Sequence, residues 1–254
     1  MTGDAMTEET MHAGLAAGDV EYRFRAWILA GIFFAAFQLY WWDHVPVAAA
    51  LGELLTRGSS VNLQTAPTMI LAVGAAATLA AAALRTWAAA YMRSIVVHDP
   101  RVHDSRLVAD GPYRHLRNPL YLGTILMAFG IGLAASRSGF VLLVAAIIFF
   151  QYRLTLREER ALTATQGESY RRYLAAVPRI VPSLRPRVPA SGARPQWAQA
   201  VRGELFMWVF ALIFVLFTAT GSTRVLMYGC VVATALVLLM RSWGARGAAK
   251  EAGQ

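Results

Sequence analysis

Apolar runs of nearly bilayer-spanning length recur along this chain, at about 26–42, 67–91, 119–136, 138–153, 204–219 and 224–240. A helix needs roughly 20 such residues to cross the hydrocarbon core. Charge is correspondingly scarce: 15% of residues are charged, against 57% hydrophobic, where a soluble domain carries about a quarter charged. The expected architecture is an all-α, multi-span transmembrane helical bundle of about six spans.

The connections set the order of those spans. "SRSG" joins the third to the fourth, and "ATGSTR" the fifth to the sixth, so both pairs should form tight hairpins. Of the 24 Lys and Arg residues, only Arg57, Arg137 and Arg224 fall on the outer side if the amino terminus is cytoplasmic. Basic residues collect on the cytoplasmic face, so both termini are expected there. Residues 1–21 are polar and mildly acidic, which is not the pattern of a cleaved signal. The chain divides into a tail at 1–25, a first span and outer loop at 26–66, a membrane core at 67–186, a Pro-rich linker at 187–203, a helical pair at 204–241 and a tail at 242–254. The +9 net charge follows from topology and does not require nucleic acid, for no separate basic domain carries it. The lone Cys230 excludes an internal disulfide.

Two polar segments interrupt the apolar pattern. The first, "GPYRHLRNPLYLG" at 111–123, leads into the third span. Pro119 suits the first turn of a helix and Asn118 the capping position before it. With Arg117 beside it, this helix start offers N–H groups and a forked cation to a carboxylate or phosphate. An ordinary arginine-anchored helix is the plainer reading. The second segment follows the fourth span and holds Glu158 and Glu159 among Arg153, Arg157 and Arg160. Its periodicity predicts an interfacial helix ended by Gly167, then a short helix at 168–176 stopped by Pro178. Because the hairpin returns the chain to the same side, the glutamates can approach Asn118. Together the segments could grip a zwitterion.

Other chemistries fit less well. His98, His103 and His115 share an inner loop, but five histidines without a His-x-x-His pair are too few for a membrane di-iron site. "GIG" at 130–132 lies inside a span and reads as a helix-packing notch. Transporter-like internal repeats and mid-membrane charges are missing, which weakens a carrier reading.

"LVADGPYRHLRNPLYLG", a two-span hairpin and "REERAL…GESYRRYLAAVPRIVP" together resemble the isoprenylcysteine carboxyl methyltransferase family, a group that includes phospholipid methyltransferases. The resemblance covers roughly 67–186. It implies S-adenosylmethionine in a cytosol-facing pocket formed by interfacial helices, and a small or lipidic methyl acceptor in the bilayer. It places Ser105, Arg106, Leu107 and Val108 on the nucleoside, Tyr113 on the Gly-x-Tyr tyrosine, and Arg117, Asn118, Pro119, Leu120 and Tyr121 on the cofactor-binding motif. Glu158 and Glu159 become the glutamate pair, one of which holds the cofactor's ammonium. Two positions depart from the pattern. Asn118 replaces the usual histidine, and Leu154 stands where a substrate-facing arginine is expected, leaving Arg153 and Arg157 as candidate catalytic replacements. An NADPH-dependent sterol-type reductase and a non-catalytic scaffold of the same fold are the alternatives.

Overall fold

The computed structural model describes residues 14–57, 60–92, 109–229 and 231–233. After a short helix α1 (Asp19–Arg23), the chain forms α2 (Arg25–Gln38), α3 (Val47–Thr56), α4 (Ala66–Tyr91), α5 (Pro119–Gly132), α6 (Arg137–Gln166), α7 (Glu168–Ala176) and α8 (Trp197–Thr220). Residues 223–229 resume the helix after Gly221. Three of these, α4, α6 and α8, are long and apolar enough to cross a membrane, whereas α2 and α5 are apolar but shorter. The protein is a multi-span helical bundle.

The bundle is built around α4. It packs on α5 and α8, while α6 packs on α5 and α2. The approach of α4 to α5 depends on glycine: a Cβ on Gly130 would lie 2.5 Å from the Gly74 carbonyl oxygen, and one on Gly74 would lie 2.7 Å from that of Gly130. The "GIG" segment is thus a packing notch, as its sequence suggests. At the turn between α5 and α6, Ser136 caps α6 by accepting from the Gly139 N–H at 3.1 Å.

Two expectations about helices need correction. The interfacial helix predicted from residue 153 is not separate, because α6 runs unbroken for 30 residues. Between Phe140 and Gln166 no glycine or proline interrupts it; the onset of charge marks where the helix leaves the apolar layer, not where it ends. Gly167, at φ 61°, stops it in a conformation that glycine adopts without strain. The expected outer loop also contains α3, which starts after Pro46 and is tied to the α5–α6 turn through Val47 N–H to Ala135 O at 2.9 Å.

The Pro-rich stretch after α7 is irregular but firmly attached. Arg117 N–H donates to Pro178 O, Ser183 N–H to His115 O, Arg187 N–H to Arg114 O, and Gln196 N–H to Ala90 O, all at 2.8–2.9 Å. Asp110 binds its far part, accepting from the Ser191 and Ala193 N–H groups and from the Ser191 hydroxyl. These bonds hold the Asp110 carboxyl below its ordinary value against the opposing effect of burial. The strap therefore fixes residues 110–117 immediately before α5.

Candidate functional site

The site assembles where α5 begins and α6 passes it. Residues Gly111–Arg114 make a single 3-10 turn, and Pro119 occupies the first turn of α5 without losing a backbone donor. Asn118 stands at the capping position, but its side chain does not cap the helix. Instead its amide donates to Glu159 Oε1 and to Arg179 O, each at 3.2 Å. The helix thus delivers Asn118 across to α6.

Glu159 is the centre of this cluster and is 5% exposed. Arg117 Nη1 lies 3.1 Å from its Oε1, and Arg179 Nη2 lies 3.0 Å from its Oε2. Arg179 Nε adds a further bond at 3.1 Å. A buried carboxylate is tolerated only when so compensated. Burial lowers the Arg117 guanidinium from its ordinary value despite the nearby Glu159. Arg179 is less deeply placed; although burial opposes its charge, the hydrogen bonds to Glu159 hold it above its ordinary value.

Glu158 differs from its neighbour. It is half-buried and has no cationic partner among the described residues, and its charge acts on the Tyr121 hydroxyl. Its charge also acts on Tyr113 and Tyr170. Burial, with these carboxylates adding to it, pushes both phenols above their ordinary value, so they remain neutral donors. Tyr173 completes the wall, donating its hydroxyl to Tyr113 O at 2.8 Å. On the same stripe of α6, Gln151 Oε1 and Thr155 Oγ1 are buried and have no hydrogen-bond partner among the described residues.

The sequence-derived candidates are distributed unevenly. Arg117 and Asn118 meet Glu159, and Tyr121 feels Glu158. Tyr113 lies in the turn before α5, Pro119 opens the helix, and Leu120 packs against the cluster of Tyr113 and Ala88. Ser105, Arg106, Leu107 and Val108 lie outside the described residues. Arg153 and Arg157 point elsewhere: Arg153 pairs with Glu21 at 2.7 Å and Arg157 with Asp19 at 2.6 Å. They hold the amino-terminal segment against α6, and Ala17 N–H reinforces it by donating to Arg153 O at 3.1 Å.

Sequence reasoning missed Arg179, which reaches Glu159 from the irregular strap that follows the extended Val177 after α7. The expectation that the spans lack charges also needs correction, for Arg85 lies within α4 and Glu204 within α8. They form a forked pair, Nε to Oε2 at 2.7 Å and Nη2 to Oε1 at 3.0 Å. A lone arginine and a lone glutamate in otherwise apolar segments were the available signal.

Residues 67–169 match the model of the phospholipid methyltransferase family. Over 93 residues the chain is 34% identical to the protein-S-isoprenylcysteine O-methyltransferase of Schizosaccharomyces pombe, a match covering 36% of this chain and 39% of that relative. No solved structure matches. The matched segment contains α4, α5, α6 and the Glu158–Glu159 pair with its Arg117–Asn118 partner. Over this segment the chain is similar to the phospholipid methyltransferase family, and it spans well under half the length of the curated relative that it matches.

Proposed function

We propose that the protein is an integral membrane methyltransferase that takes its methyl group from S-adenosylmethionine and passes it to a small or lipidic acceptor. The observation that carries this reading is the unequal pair of glutamates. Glu159 is saturated by Arg117, Arg179 and Asn118, whereas Glu158 has no cation among the described residues. A half-buried carboxylate beside neutral tyrosines suits the donor's ammonium. Tyr113, Tyr121 and Tyr170 offer hydroxyls around it. The buried Gln151 and Thr155 offer polar atoms farther into the bundle.

When bound, the sulfonium supplies an already activated methyl group. The chain therefore has mainly to position the donor and exclude water from it. Glu159 and its arginines fix the start of α5 against α6, so that Glu158 and the tyrosines keep one relative arrangement. A carboxylate or thiolate acceptor needs no base, whereas a phospholipid amine must lose a proton. The arginine distribution supports a site facing the cytosol, with the acceptor entering from the bilayer.

Calorimetry of the detergent-purified protein with S-adenosylmethionine and with NADPH tests the cofactor. Binding of S-adenosylmethionine alone is expected; binding of NADPH alone would replace this reading with a sterol-type reductase. A screen of thiol, prenylcysteine and phospholipid acceptors then identifies the substrate. Tight cofactor binding without transfer to any acceptor would mark a scaffold that has lost activity.

A further inference from the structure

We infer that Arg85 and Glu204 are positioning residues for the proposed cofactor site, through which α8 sets the placement of the first turn of α5. This inference rests on the methyltransferase reading for its ligand, but its structural half does not. Arg85 uses its whole guanidinium. Besides the two bonds to Glu204, Nη1 donates to Leu120 O at 3.0 Å and to Thr124 Oγ1 at 2.8 Å. Leu120 and Thr124 bracket the first turn after Asn118 and Pro119. Gly123 leaves the space for the arginine stem, since a Cβ there would collide with Arg85 Cγ.

The pair is also close enough to the site to be felt in it. The charges of Arg85 and Glu204 both act on the Tyr113 hydroxyl, as does that of Glu158. Tyr113 thus lies within reach of both groups. Glu204 belongs to α8, beyond the family-matched residues 67–169. A second tether accompanies it: Trp208 Nε1 donates to Thr86 Oγ1 at 2.9 Å. The helix pairing alone could be served by apolar packing, for Met207 and Ala211 of α8 already bury against Ala81 and Ala82 of α4. What apolar packing cannot supply is the cationic donor that Arg85 adds at Leu120 O, which also accepts from the Thr124 hydroxyl at 3.1 Å, and at Thr124 Oγ1.

The decisive variant is R85M/E204M. Removing both charges together leaves no unpaired ion, and such replacements are often neutral or stabilising. If the pair positions α5, this variant keeps the parent's thermal stability, shows faster amide hydrogen exchange in 118–124 but not in 143–150, and binds S-adenosylmethionine about tenfold more weakly. E204D, which keeps the charge, should recover most of the affinity. Unchanged exchange in 118–124 overturns the inference whether or not cofactor binds. Failure of the parent to bind S-adenosylmethionine, with exchange altered as expected in the variant, would instead remove the methyltransferase reading and leave the positioning of α5 standing. Parent-like affinity in the variant, with the parent binding normally, would reduce the pair to a helix staple and sink the inference.

Discussion

Asn118 and Glu159, 41 positions apart, meet through a hydrogen bond of 3.2 Å inside the bundle. That contact brings the two polar segments of the sequence together, and under the proposed function the two adjacent glutamates have different work.

Glu158→Ala should weaken S-adenosylmethionine binding by roughly ten- to a hundredfold, the usual effect of losing a charged hydrogen bond, with little change in melting temperature. Glu159→Ala should act in the opposite way. It leaves Arg117 and Arg179 facing each other without their carboxylate, and breaking a buried pair costs about 3–5 kcal/mol. Affinity and melting temperature measured on both variants check this. A Glu158 variant that binds as the parent does would remove it from the cofactor site.

Much of this arrangement was legible in the sequence, and the reasons for the exceptions are physical. Hydropathy located the long helices because burial in lipid is a property of composition over a window. Pro119 and Gly167 located the ends of two helices because their backbone restrictions are local. Arg179 was not legible: nothing within its own window of sequence indicates that the strap after Pro178 returns to α6. The partners of Arg153 and Arg157 were not legible for a related reason. The two arginines sit near the glutamates along α6, but their partners, Asp19 and Glu21, lie in an amino-terminal stretch that reads as a solvated tail.

The amino-terminal segment gives a prediction of its own. Asp19 is 93% exposed in its pair with Arg157, so this bond contributes well under about 1 kcal/mol to global stability. The double variant D19N/E21Q should leave the melting temperature nearly unchanged while amide exchange rises selectively in residues 14–24. R153Q/R157Q should give the same exchange pattern. If either double variant instead abolished cofactor binding with the segment still protected, the two arginines would belong to the site.

Arg179→Lys should resemble a partial loss of Glu159. The guanidinium holds the carboxylate through both Nε and Nη2, a fork that an ammonium cannot reproduce. The expected result is a lower melting temperature than the parent's but a higher one than that of Glu159→Ala. Equal stability of the lysine variant and the parent would show that charge alone suffices.

At the opposite end of the bundle, Asp43 accepts from Arg137 Nη2 at 3.0 Å and from the Ser138 N–H at 2.9 Å. The Arg137 hydrogen bonds, followed by that of Ser138, hold its carboxyl down at about 2, from an ordinary 3.8. A depressed carboxyl favours the folded state wherever it is ionised in both states, so its contribution is complete above the unfolded value. It is lost as pH falls through the folded value. The window is therefore between about 4 and about 2. Over that range the melting temperature of the parent should fall more steeply than that of Asp43→Asn, which has no charge to lose. Arg137→Gln should flatten the same part of the curve by returning Asp43 toward its ordinary value. Identical acid profiles for parent and both variants would mean that the α2–α6 connection is held by its backbone bonds alone, such as Arg137 N–H to Val45 O at 3.1 Å.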